Sequence, residues 1–123
     1  MMESVPKADV IVTNPTHYAV ALQYTAGKDK APRVVAKGAD LIALQIRELA
    51  KQHRVPLVEA PPLARALFRS CDIDSEIPGA LYQAVAQVLS YVYQLRDLKR
   101  LDKPLLPKIS DDLPNSGIEP ESR

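Results

Sequence analysis

With 123 residues the chain has room for one domain whose hydrophobic core needs neither metals nor disulfides. Sixteen Lys and Arg stand against fifteen Asp and Glu, a net charge of +1, so no whole-molecule field directs the chain to nucleic acid or to acidic substrates. The single cysteine, Cys71, has no partner for an intramolecular disulfide, and neither a secretory signal nor a run of about 18 apolar residues is present, which predicts a soluble piece in a reducing cytosol.

The β-branched run over residues 9–13, Asp-Val-Ile-Val-Thr, is closed by Asn14-Pro15 and predicts a buried strand ending in a turn. Over residues 18–24, Tyr18, Val20, Leu22 and Tyr24 alternate with Ala19, Ala21 and Gln23, the period of two of a second strand. Residues 27–32 form a polar connection, and Arg33-Val34-Val35-Ala36 reads as a brief third strand ending at Gly38. From 39 to 54, Ile42, Ile46 and Leu49 recur at helical spacing, with Asp40 near the start and Lys51, His53 and Arg54 near the end, where cations suit the helix dipole.

Pro56-Leu57-Val58-Glu59 predicts a fourth strand, and Pro61-Pro62 opens a short helix through Leu63, Leu67 and Phe68. Pro78 fits a first helical position, and Leu81, Val85, Val88, Val92 and Leu95 follow at steps of four and three, the pattern of the longest helix. Beyond Leu101 come Pro104, Pro107, Pro114 and Pro120 among Asp, Ser and Gly, a composition that buries too little apolar surface to offset chain entropy. The expected architecture is α/β: a single domain over residues 1–103 with a four-stranded mixed sheet flanked by helices and a long C-terminal helix, then a disordered, flexible Pro-rich tail over 104–123. The strand-turn-strand at the start allows an antiparallel or a wide connection for the first pair, and the helical crossover to Leu57-Val58 favours a parallel contact. The strand order is not readable at this level.

Asn14-Pro15-Thr16-His17 is the place where the order of residue types points to chemistry. Asparagine ordinarily degrades when the next backbone nitrogen attacks its side-chain amide carbon, a route closed by proline, which has no N–H. The reverse attack, by the Asn14 amide nitrogen on its own main-chain carbonyl, closes a five-membered succinimide and expels the Pro15 nitrogen, cutting the chain. A side-chain amide is a poor nucleophile, so orientation, proton removal and strain must come from the fold. His17, or a water near it, is the candidate to take the amide proton or to protonate the departing nitrogen, and Thr16 the candidate to hold the turn or polarise the carbonyl. Taken alone, Asn-Pro is a turn initiator, and proline in the middle position excludes Asn14-Pro15-Thr16 as a glycosylation motif.

The surroundings add specificity. Val5-Pro6-Lys7-Ala8-Asp9-Val10-Ile11-Val12-Thr13-Asn14-Pro15-Thr16-His17-Tyr18-Ala19-Val20-Ala21-Leu22 closely resembles the bacterial flagellar export switch proteins of the FlhB family, whose hallmark is Asn-Pro-Thr-His. The resemblance continues through Arg33-Val34-Val35-Ala36-Lys37-Gly38-Ala39-Asp40, Pro61-Pro62-Leu63-Ala64-Arg65-Ala66-Leu67 and Ile77-Pro78 to Tyr91-Val92-Tyr93, covering about residues 5–100 in one order. It implies an autocatalytic cut after Asn14 with Asn14, Pro15, Thr16 and His17 as the site, two pieces that stay together as one folded domain, and a change of export from hook-type to filament-type subunits. Each molecule would react once, with no turnover of other substrates.

The partners so implied are flagellar export substrates and their chaperones, the hook-length control protein and other export-apparatus components. The implied place is the cytoplasmic face of the bacterial inner membrane, with the parent protein embedded in it. Virulence-type (injectisome) secretion systems contain a homologous switch protein; Ala36-Lys37-Gly38-Ala39-Asp40 and the stretch from Tyr82-Gln83-Ala84-Val85 to Tyr91-Val92-Tyr93 look more like the flagellar branch.

Other candidates read more plainly. Cys71 is taken as an inert thiol, and one cysteine with two scattered histidines lacks metal-ligand spacing, so neither cofactor nor metal is expected. Tyr82, Tyr91 and Tyr93 read as packing surface. Arg96, Lys99, Arg100, Lys103 and Lys108 are diluted by Asp97 and Asp102 and read as a solvated helix end rather than a nucleic-acid site. Asp72, Asp74 and Glu76 crowd the link before the last helix, where Glu76 suits a helix start. The rival reading from another class is an uncleaved α/β protein-interaction module in which Asn14-Pro15 is merely a turn.

Overall fold

The computed structural model describes residues 1–15 and 17–102, with side chains through residue 99. Thr16 and the expected tail over 104–123 lie outside the described residues, as do the side chains of Arg100, Lys103 and Lys108. The chain divides into two compact units, Met1–Val92 and Tyr93–Arg123. In chain order a short 3-10 helix, Met2–Lys7, precedes β1 (Val10–Asn14), β2 (Tyr18–Gln23), β3 (Arg33–Ala39), α1 (Asp40–Gln52), β4 (Leu57–Glu59) and α2 (Pro61–Ser70). A 3-10 turn, Gly79–Leu81, then leads into α3 (Tyr82–Asp102). The second unit takes up the last part of α3, where the Arg96 guanidinium lies 5.3 Å from the centre of the Tyr93 ring. Among the described residues no helix is long and apolar enough to cross a membrane.

The strands form one mixed sheet in the order β3-β2-β1-β4, antiparallel across β3, β2 and β1 and parallel between β1 and β4. That is the four-stranded mixed sheet expected from the sequence, with β1 now placed inside it. Val10, Ile11 and Val12 are fully buried because a strand flanked on both edges and covered on both faces has no exposed side. The period of two in β2 sorts side chains between faces, not between core and solvent. Tyr18 stacks on Phe68 of α2, which assigns Tyr18, Val20 and Leu22 to the α2 face, while Ala19 and Ala21 join Ile11, Ala43, Ile46 and Ala50 on the α1 face.

The buried stripe of α1 is Ala43, Ile46 and Ala50, and Ile42 is 39% exposed, so the helix is rotated from the Ile42, Ile46, Leu49 face that spacing predicts. Small residues explain the rotation. Alanines on the helix meet Ala19, Ala21 and Ala36 on the sheet and let the two approach closely, a contact that a search for large apolar side chains passes over. The 3-10 helix Met2–Lys7 was not anticipated either; it places Val5 in this same core. In α3 the buried residues are Val85, Leu89 and Val92, whereas Val88 is half-buried and Leu95 is exposed, and Pro78 caps the 3-10 turn instead of starting the helix.

The loop before β3 is tied down by Asp29. Its Oδ2 accepts the Thr25 N–H at 2.9 Å and its Oδ1 meets the Arg33 guanidinium at 3.2 Å. The Thr25 hydrogen bond first, and Arg33 second, hold the Asp29 carboxyl below the usual carboxylate range against the opposing effect of burial. A lowered carboxyl stabilises the fold above its ordinary value near about 4, and that contribution disappears as pH falls through the lowered value. Asp29→Asn should therefore melt below wild type at neutral pH, with the gap in thermal midpoint closing as pH drops below about 4; a gap constant from pH 7 to pH 2 would contradict this.

Arg33 also donates to the Asp74 carbonyl at 2.7 Å and approaches Glu76 at 3.9 Å, while the Lys30 N–H donates to Glu76 at 3.3 Å. Glu76 thus pins the link to β3 and does not start a helix, correcting its expected role. Backbone bonds from Val34 N–H to Ser75 and from Ile77 N–H to Pro32 lay this link along the outer edge of β3, where an open ladder would invite mispairing. Beneath it, Cys71 is buried, and burial pushes its thiol up, which keeps the sulfur protonated as packing.

Candidate functional site

β1 ends at Asn14 because Pro15 has no N–H to continue the ladder. Asn14 pairs with Tyr18, so the hairpin turns between them, and the His17 main-chain N–H donates to the Asn14 carbonyl oxygen at 2.8 Å. That carbonyl is the acyl half of the Asn14–Pro15 bond. If the Asn14 amide nitrogen attacks it, negative charge develops on the oxygen that already faces a fixed N–H, the arrangement that lowers the barrier of acyl-transfer steps.

Both arms of the turn are held from elsewhere in the fold. Upstream, the Thr13 carbonyl accepts the Ala60 N–H at 2.9 Å at the junction of β4 and α2. Downstream, the His17 carbonyl accepts the Asp40 N–H at 2.9 Å at the start of α1. The next residue, Tyr18, stacks on Phe68 with ring centres 4.5 Å apart, and Lys37 also meets Phe68, its Nζ 5.1 Å from the ring centre and 2.9 Å from the Phe68 carbonyl oxygen. Offset stacking of this kind contributes about 0.5–1.5 kcal/mol beyond area burial. The Asn14–Pro15 peptide bond therefore lies at an exposed turn on a well-held base: Pro15 and His17 face solvent and Asn14 is half-buried.

The structure brings Asn14, Pro15 and His17 into one turn. The group it sets on the Asn14 carbonyl is the His17 main-chain N–H, whereas the imidazole is exposed with its ring centre 6.4 Å from that of Tyr18. Sequence reasoning missed this donor together with Asp40 and Ala60, because all three act through the backbone. The one available signal was Gly38-Ala39-Asp40, a glycine two residues before an acidic residue at a strand-to-helix corner.

The fold coincides with that of a known protein class. Residues 1–92 match the family model described as the FlhB HrpN YscU SpaS family, and the chain belongs to that family. It is 69% identical over 96 residues to the flagellar biosynthetic protein FlhB of Salmonella typhimurium (78% of this chain, 25% of that protein). To the FlhB of Yersinia enterocolitica it is 61% identical over 114 residues (93% and 30%). The chain thus spans about a quarter to a third of the length of these relatives. Among solved structures, the cytoplasmic domain of FlhB from Shewanella putrefaciens superimposes with a TM-score of 0.77 at 50% identity, covering 80% of this chain and 76% of that one. A mutated EscU C-terminal domain superimposes at 0.72 with 35% identity, covering 74% and 91%.

Proposed function

We propose that this chain is the autocleaving substrate-specificity switch of a bacterial flagellar type III export apparatus, cut between Asn14 and Pro15 by cyclisation of Asn14. The observation that carries the reading is the scissile carbonyl lying under the His17 N–H in a turn clamped on both arms. In the reaction the Asn14 side-chain nitrogen forms a bond to the Asn14 carbonyl carbon and loses a proton. The bond from that carbon to the Pro15 nitrogen breaks, and the nitrogen takes up a proton as a secondary amine. The upstream piece ends in a succinimide, which water then opens. Asn14 is the nucleophile, Pro15 the leaving group, the His17 imidazole the group that relays the proton through solvent, and Thr16 a hydroxyl donor to the turn.

Cut at this point, the domain keeps its shape because β1 stays laddered between β2 and β4. What changes is the loop: with His17 tied to Asp40, the freed arm runs from Pro15 to His17. This altered surface docks export substrates and their chaperones, meets the hook-length control protein and other export components, and moves the apparatus from hook-type to filament-type subunits. The setting is the cytoplasmic face of the inner membrane beside a membrane-embedded remainder of the parent protein. Nucleic acid is not a partner. Identities of 61% and 69% to flagellar proteins, against 35% to the EscU domain, support the flagellar over the injectisome reading.

Mass measurement tests the cleavage. Denatured protein should give two species, residues 1–14 and 15–123, whose masses sum to the intact chain plus one water once the succinimide has opened, while native protein elutes as one particle. An intact chain after prolonged incubation would return the turn to an ordinary interaction module.

A further inference from the structure

We propose that Asp40 is a positioning residue for cleavage at Asn14: the corner Gly38-Ala39-Asp40 aims the Asp40 N–H at the His17 carbonyl and so keeps the His17 N–H on the scissile oxygen. The inference rests on the autocleavage reading. His17 engages both of its main-chain groups, donating to the Asn14 oxygen at 2.8 Å and accepting from Asp40 at 2.9 Å. Pro15 and His17 are exposed, and Pro15 has no N–H with which to brace the turn. A donor that must stay on one oxygen while charge develops there needs an anchor outside the loop, and Asp40 supplies one.

The corner is built for this. Asp40 has φ +52, a left-handed conformation that Asp and Asn tolerate better than most side chains and that β-branched residues resist. Its turn brings Ile42 back over Gly38 so closely that a Cβ on Gly38 would lie 2.7 Å from the Ile42 Cβ. Ala39, at the N-cap, pairs with Tyr18 across the ladder and offers no side-chain cap. The Asp40 N–H is one of the donors that every helix start leaves unsatisfied, and here it is committed to the cleavage turn.

The test uses the full chain made by cell-free translation with a pulse label, its cutting followed on denaturing gels as a first-order rate. Asp40→Asn and Asp40→Gly, which accept the left-handed conformation and keep the N–H, should cut within about three-fold of wild type, whereas Asp40→Val should cut about ten- to a hundred-fold more slowly, the loss that follows from a misplacement near 1 Å. Ala50→Gly, which weakens α1 away from the corner, separates positioning from stability and should cut at the wild-type rate. In an Asn14→Ala background, Asp40→Val should also speed hydrogen exchange at the His17 amide. Should Asp40→Val not fold, Asp40→Ala carries the same comparison. Wild-type-like cutting by a folded Val or Ala variant, or equal slowing by Ala50→Gly, overturns the role of Asp40 and leaves autocleavage standing; wild-type protein that never cuts overturns both.

Discussion

Asn14→Ala protein is expected to remain one intact chain under denaturing conditions, however long it is incubated, with a loss of cutting rate on the order of a thousand-fold or more because the tethered nucleophile is gone. Its fold should persist. Asn14 closes β1 at the half-buried rim of the sheet, and its main-chain pairings with Tyr18 and His17 do not involve the carboxamide. The thermal midpoint should stay within a few degrees of wild type, which distinguishes lost chemistry from lost structure. Pro15→Ala restores an N–H and relaxes the turn, so slower cutting mixed with deamidation is the expected product pattern. In cells, Asn14→Ala should pass hook-type subunits and fail with filament-type ones. Co-expressing the piece that ends at Asn14 with residues 15–123 should restore the change. Two fragments from Asn14→Ala would indicate a contaminating protease, and a well-folded split protein that cannot change substrate class would show that freeing the loop is not enough.

Ile11→Ala should have the largest effect on retention of the upstream piece. Ile11 is fully buried in the central strand, packed with Val5, Ala21, Ile46 and Val55, and paired to Ala21 on one side and Leu57 on the other. Truncating such a side chain costs about 2–5 kcal/mol through lost transfer energy and the cavity left behind. In uncut Asn14→Ala protein this appears as lost unfolding free energy. In cut protein the same loss falls on the association of residues 1–14 with residues 15–123, weakening it between about thirty-fold and several thousand-fold. Fragment dissociation measured by native mass spectrometry reads it directly. Equal retention of the Ile11→Ala and wild-type pieces would mean that β1 is not what holds the halves together.

Strand and helix identities were legible because they rest on local signals: a β-branched run before Asn-Pro, apolar residues at steps of three and four in α3, and Pro61-Pro62 at the first turn of α2. The Asn14-Pro15 dipeptide stood out for the same reason, since the argument from it needs only two adjacent residues. Tertiary structure decided the rest. Which face of α1 is buried depends on alanines meeting alanines across the sheet, and small side chains carry no weight in an apolar count. The position of β1 inside the sheet, between β2 and β4, follows from a parallel pairing with β4 that no local pattern encodes. Above all, the donors that hold the turn are main-chain N–H groups of His17, Asp40 and Ala60, a group that nearly every residue possesses. A backbone amide acquires a particular partner only when folding aims it, so the sequence by itself determined where Asn14-Pro15 stands in the chain, and packing decided which donors hold that turn.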